Sequence, residues 1–201
     1  MLKTDTLKAI DNISPVTWVL KGNTIKTKGL TKSFRLDADI IRKLEQQAKN
    51  NNTSLNAEVN SILRKYVDWD MFASKVGMIP IARPILSEIF QNIMTKEQVI
   101  ELANNVAKNT IHEMVLFMKG NLTLEIFLSW LITRMEQCSE VNYYNEHNTT
   151  NPQSKIIFKH DLGVNWSVYH QIIIEHIIHE ILGKNDVGIT ISSTMISLCF
   201  S

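Results

Sequence analysis

Three residues of the run Thr31-Lys-Ser-Phe-Arg-Leu36 carry hydrogen-bonding groups at a spacing of two: Thr31, Ser33 and Arg35. Side chains alternate along an extended strand, so these three share one face while Phe34 and Leu36 share the other. An arginine fork beside two hydroxyls is suited to reading base edges. The guanidinium can grip guanine O6 and N7 together, the hydroxyls can reach neighbouring bases, and a two-stranded ribbon fits the major groove of B-DNA. The plainer alternative is an edge strand whose polar side faces water.

Histidines supply the other candidate chemistry. Glu175-His176-Ile-Ile-His179-Glu180 puts i, i+3 and i, i+4 pairs on one helix face, although the spacing is not HExxH. With Gln171 these residues form the polar stripe of a helix otherwise mostly isoleucine, and a solvated face is the expectation. His160 shares a strand face with Ile156, Phe158 and Leu162, and Asp161-Leu-Gly163 leads into Asn165-Trp-Ser167 at a helix start. Such a turn can bind an anion; an ordinary turn with a hydrogen-bonded histidine is the preferred reading. Cys138 and Cys199 stand apart with no CxxC spacing, which fits a reducing compartment. Phe90, Trp130 and Trp166 are expected in the core. No P-loop, dinucleotide fingerprint, GxSxG or paired catalytic motif occurs. No catalytic residue, metal or cofactor is therefore assigned, and enzymatic activity is not expected.

Positioning these groups falls to elements read from periodicity. Asp37 offers an N-cap, Ile40, Ile41, Leu44 and Ala48 recur at helical spacing, and Asn50-Asn51-Asn52 breaks the pattern. Ser54 caps a second helix carrying Val59, Ile62, Leu63, Tyr66 and Val67, which can run on towards Phe72. Pro80 and Pro84 mark a linker. Beyond it the pattern predicts a short helix from Ile85 to Met94. The capping box Thr95-Lys-Glu-Gln98 precedes a helix reaching Gly120, and a third helix spans about Thr123 to Gln137. Val141 to Glu146 and Lys155 to Leu162 read as strands joined by the polar loop His147 to Ser154. A helix over Asn165 to Leu182 follows. Val187 to Phe200 is then β-rich, with a bulge or turn near Ser192-Ser193-Thr194.

The expected fold class is α+β and helix-rich, with the C-terminal part ordered strand, strand, helix, strand. The divisions are a basic arm at 1–30 with a short strand candidate at Val16 to Leu20, a strand-helix-helix unit at 31–76, a linker at 77–84 and an α+β domain at 85–201.

Composition sets the bounds. The chain has 201 residues, 44% of them hydrophobic, which supports a buried core and excludes long disorder, collagen and mini-protein scaffolds. No apolar run reaches the roughly 18–20 residues of a membrane helix, and the first residues lack an apolar signal segment, so a cytoplasmic chain is expected. The net charge of +1 conceals two halves. Residues 1–76 hold 13 Lys/Arg against 8 Asp/Glu, and residues 77–201 hold 8 against 12. A basic module joined to an acidic one suggests a polyanionic partner for the first. An isolated short strand also leaves its edge unpaired, and pairing with the same strand of a second chain resolves that, so dimerisation is expected.

Residues 31–67, TKSFRLDADIIRKLEQQAKNNNTSLNAEVNSILRKYV, resemble a ribbon-helix-helix DNA-binding domain of the Arc and MetJ repressor type. The SLNAEV stretch is similar to the start of the second helix in the Arc type. The resemblance implies an intersubunit antiparallel ribbon with Thr31, Ser33 and Arg35 contacting bases. It implies that Ser54, Leu55 and Asn56 clamp a backbone phosphate, with Lys32 and Lys28 as further phosphate contacts. The implied dimer core is Phe34, Leu36, Ile40, Leu44, Val59, Ile62 and Leu63. Two departures stand out. Lys32 sits where the family usually has an inward apolar residue. Glu58 matches a glutamate that the family buries between two arginines, but Thr53 and Ile62 occupy the arginine positions. Glu58 is therefore expected to be exposed.

The expected function is a homodimeric, sequence-specific DNA-binding regulator. Its partners are double-stranded DNA and itself, as a dimer or a tetramer, with no membrane. The C-terminal domain is expected to add oligomerisation in preference to effector binding. The alternatives are an antitoxin-like interaction module, whose C-terminal region would be disordered alone, and a metal- or small-molecule-responsive repressor.

Overall fold

The computed structural model describes residues 30–146 and 153–200. The basic arm with Val16 to Leu20 and Lys28, and most of the loop His147 to Ser154, lie outside the described residues. The chain divides into two compact units, one ending at Pro80 and the other resuming at Ile81.

In the first unit, α1 (Ala38–Asn50) follows Asp37, which is extended, but the Asp37 carboxylate makes no capping bond. The first turn is closed by the backbone, Ile41 N–H donating to Asp37 O at 3.1 Å. The helix ends by hydrogen bonds from Thr53 N–H to Ala48 O (2.9 Å) and from Asn52 N–H to Lys49 O (3.1 Å). Asn52 takes the left-handed conformation this closure needs, at φ +51°. Asparagine tolerates that region better than other side chains, so the Asn50–Asn52 run acts as a helix stop.

Ser54 then starts α2 (Leu55–Lys65), its Oγ accepting from Ala57 N–H at 3.2 Å. Such a cap is worth about 1 kcal/mol. The helix widens over Tyr66–Asp70 and closes at Met71–Ala73.

Residues 30–37 form no regular element and are exposed throughout. The strand expected at Thr31 to Leu36 is thus absent from the single chain. A strand exists by bonding to a neighbour, and none of the described residues offers it one.

The second unit opens with α3 (Arg83–Glu88), which begins ahead of the expected Ile85 because Pro84 sits in the first turn, where a missing N–H costs nothing. A widened turn (Ile89–Ile93) extends it. The Thr95/Gln98 capping box forms in both directions and opens α4 (Lys96–Val106). After a further widened turn (Ala107–Ile111) comes α5 (His112–Lys119), stopped by Gly120. Thr123 caps α6 (Leu124–Met135), whose Leu124, Phe127, Leu128, Trp130, Leu131, Ile132 and Met135 are all buried.

The sheet comprises β1 (Glu140–Glu146), β2 (Gln153–Lys159), β3 (Val187–Ile191) and β4 (Met195–Phe200), antiparallel throughout in the order β1-β2-β4-β3. Helix α7 (Val164–Glu175), prolonged by a widened turn (His176–Ile181), lies against β3 and β4 on one side and α4 on the other. Contact on both sides explains why Ile173, Ile174, Ile177 and Ile178 are all buried. Ile156, Phe158, Ile196 and Leu198 form the buried face of the sheet.

The expected strand-strand-helix-strand order is corrected to two strands, a helix and two strands. The phase slip at Ser192 to Thr194 is a hairpin turn rather than a bulge within one strand, because Ser192 N–H bonds Met195 O at 2.8 Å. Among the described residues no single helix is long and apolar enough to cross a membrane.

Candidate nucleic-acid interface

Thr31, Ser33 and Arg35 are exposed and make no hydrogen bond or ion pair with any described residue. Lys32 is exposed as well. At the start of α2, Ser54 takes two donors, its Oγ from Ala57 N–H and its carbonyl from Glu58 N–H (2.9 Å). The amides of Leu55 and Asn56 make no bond to any described residue, so two N–H groups and the positive end of the helix dipole face outward. Asn60 Nδ2 donates to Asn56 O (2.8 Å) and more weakly to Asn56 Oδ1 (3.4 Å), which steadies the Asn56 side chain and leaves its own NH2 open. A helix terminus in this state suits one phosphate oxygen.

The expected dimer core is not buried in the single chain. Phe34 is 77% exposed, and Leu36, Ile40, Ile62 and Leu63 are exposed too, while Leu44 and Val59 are half-buried. Two helices and an unpaired segment cannot enclose both sides of their own apolar stripe. Leu30, Tyr66 and Val67 are also exposed. Tyr66 and Val67 continue the Val59, Ile62, Leu63 spacing, so the periodicity already held the signal that they share this face.

Glu58, expected to be exposed, is half-buried and accepts from Asn51 Nδ2 at 3.1 Å.

His160 and His170 are committed to structure. Leu162 N–H donates to His160 Nδ1 (3.2 Å), so the proton sits on Nε2 and is donated to Ser167 Oγ (2.8 Å). Ser167 in turn donates to Ser192 O (2.6 Å). The proton relay runs away from Ser167 as a nucleophile and fastens β2, α7 and the β3–β4 turn together. Burial holds the His160 pKa below the usual value.

His170, in the middle of α7, donates from Nδ1 to Trp166 O (3.1 Å). Burial, with Arg134 nearby, drives its pKa down to about 3. Its Nε2 and the Trp166 Nε1 have no hydrogen-bond partner among the described residues. The sequence drew no attention to His170, since a histidine among isoleucines reads equally well on a wet face.

The stripe expected to be solvated is only partly so. Gln171 donates to Glu175 (2.8 Å), His176 donates to Glu180 (2.7 Å), and His179 Nε2 donates to Val187 O (3.0 Å). Among the described residues no group of three or more His, Cys, Asp or Glu side chains is arranged to hold a metal. Both cysteines are free and half-buried, and burial pushes the Cys138 thiol up.

The corner weighed as an anion site is filled by protein. Gln91 Nε2 donates to Asp161 O (3.0 Å), and Asn165 Nδ2 donates to Phe90 O (2.9 Å) and Met94 O (3.0 Å). Arg83 binds the Cys138 carbonyl (2.6 Å) and the Asp161 carboxylate (3.4 Å). These bonds fasten α3 and its extension to the start of α7. No family model, curated protein or solved structure matches the chain.

Proposed function

We propose that the chain is a sequence-specific DNA-binding transcriptional regulator that acts as a homodimer. Residues Thr31 to Leu36 of two copies pair antiparallel and enter the major groove, with Thr31, Ser33 and Arg35 on base edges and the α2 N-terminus on a phosphate. The observation that carries this reading is the exposed apolar face of Phe34, Leu36, Ile40, Ile62, Leu63 and Tyr66, beside a segment with an unpaired backbone. Full burial of each such side chain is worth about 1.5–3 kcal/mol. Several together match the roughly 4–15 kcal/mol cost of association. The second unit has a buried core of its own, in contrast to the disordered region an antitoxin would carry.

Selection of bound fragments from random duplex DNA tests the reading. Enrichment of a short motif repeated as half-sites is the expected result, because a two-fold protein reads two-fold DNA. Retention of duplexes without enrichment, or no retention at low salt, overturns it.

A further inference from the structure

Among the described residues the sheet ends on two edges, β1 and β3, and the two differ in character. Hydrogen-bond parity shows which backbone groups β3 leaves open. Ser192 N–H bonds Met195 O (2.8 Å) at the hairpin, while His160 N–H bonds Thr194 O (3.0 Å) across the other side of β4. With Thr190 opposite Ser197 and Gly188 opposite Cys199, those two β3 residues bond inward to β4. Val187, Ile189 and Ile191 therefore aim their amides and carbonyls out of the sheet. His179 agrees with this, since its Nε2–H reaches Val187 O at 3.0 Å from outside the ladder. A carbonyl has two lone pairs, so Val187 O can still accept a second bond.

β3 reads VGITI and carries no charge. Antiparallel pairing with a second β3 about Ile189 would set Val187 opposite Ile191 and Gly188 opposite Thr190. Every outward amide then meets an outward carbonyl, and Val187, Ile189 and Ile191 continue the apolar face across the seam. Gly188 and Thr190 are exposed and small. β1 lacks this self-complementarity. Pairing it with itself about Tyr143 would oppose positions 140 and 146, both glutamates, at each end of the strand. Like charges directly opposite destabilise a ladder and protect an edge.

From these features we propose that the β3 edge docks a second copy of this chain, joining two four-stranded sheets into one continuous antiparallel sheet. The contact is independent of the ribbon reading and would link second units while the ribbons hold DNA.

The test uses the full chain carrying Phe34→Glu, which removes the ribbon contact, in sedimentation equilibrium over a dilution series. Leu63→Glu serves the same purpose should the first variant fold poorly. Twice the chain mass is expected. Adding Gly188→Glu with Thr190→Glu should halve that mass, because each pairing then opposes two carboxylates. The backbone permits the change, as a Cβ at Gly188 meets nothing closer than 3.7 Å and the position is exposed. Gly188→Lys with Thr190→Glu sets opposite charges across the seam and should restore the doubled mass, which a merely misfolded chain would not do. A monomeric Phe34→Glu chain, or identical masses for the two charge versions, overturns the proposal. Comparison of the wild type with Phe34→Glu alone reports on the ribbon, so the two readings fail separately.

Discussion

The side-chain amide of Asn51 donates to the carboxylate of Glu58 across 3.1 Å, bridging the turn between α1 and α2. A neutral amide partners the half-buried carboxylate here, so no second charge has to be desolvated. Glu58→Ala should cost about 0.5–1.5 kcal/mol. Asn51→Asp should cost at least as much by setting two carboxylates together. Urea unfolding midpoints check both, and unchanged midpoints would mean that the bond is not held in solution.

Specific and non-specific binding should separate at Arg35 and Asn56. Arg35→Ala is expected to lose roughly 1–3 kcal/mol on a selected site and little on random duplex, because base contacts carry the sequence information. Asn56→Ala should weaken both about equally. Titrations at two salt concentrations test this, and equal losses from Arg35→Ala on the two duplexes would exclude base reading.

Phe34 separates a lone chain from a dimer. An exposed side chain of a monomer can be truncated within about 0.5 kcal/mol, whereas a phenylalanine in a closed core costs roughly 3–5 kcal/mol when cut to alanine. Phe34→Ala should therefore destabilise strongly, and the wild-type melting temperature should rise with protein concentration. A concentration-independent melt that Phe34→Ala leaves unmoved would deny the dimer.

Helix caps were legible in the sequence, and strand pairing less completely so. Ser54 and Thr95 declared their helices because a cap is a bond between residues three apart. The antiparallel β1–β2 pair could be read from two runs with a polar loop between them. Asp37 looked like a cap, and its backbone carbonyl does accept the first helical bond, from Ile41, but its carboxylate caps nothing. At Ser192 to Thr194 the sequence left a bulge and a turn both open, because the stretch lacks the glycine or asparagine that usually announces a hairpin. Thr31 to Leu36 shows the deeper limit. Its alternation describes a strand, but alternation does not supply a hydrogen-bonding neighbour, and no described residue of the chain bonds to it.

Acid should unfold the second unit through its buried histidines. His160 and His170 have folded pKa values below their ordinary one, so their contribution to stability is complete above about pH 6.5. It is lost as the pH falls from there towards about 3 for His170. Each such group adds a slope of up to about 1.4 kcal/mol per pH unit within its window. His170→Phe removes one group together with its orphaned Nε2, and should flatten the acid limb by about one proton while leaving the fold intact at neutral pH. Urea unfolding as a function of pH reads the slope. An unaltered acid limb would mean that His170 is not buried in its neutral form.

Gly163 combines two constraints that mutation can separate. Its φ of +83° lies where a side chain is strained, and a Cβ built on it would stand 2.7 Å from Gln91 Cγ. Positive-φ strain of this kind costs on the order of 1–3 kcal/mol, and the contact adds to it unless Gln91 withdraws. Withdrawal would break the bond from Gln91 Nε2 to Asp161 O (3.0 Å) that helps to hold α3 against the start of α7. Gly163→Ala should therefore destabilise beyond the backbone term alone. In a Gln91→Ala background the same change should cost only that backbone term, because nothing remains for the Cβ to strike. A double-mutant cycle by urea unfolding measures the difference. If Gly163→Ala costs the same in both backgrounds, the close approach of Gln91 contributes nothing and the positive φ alone explains the glycine.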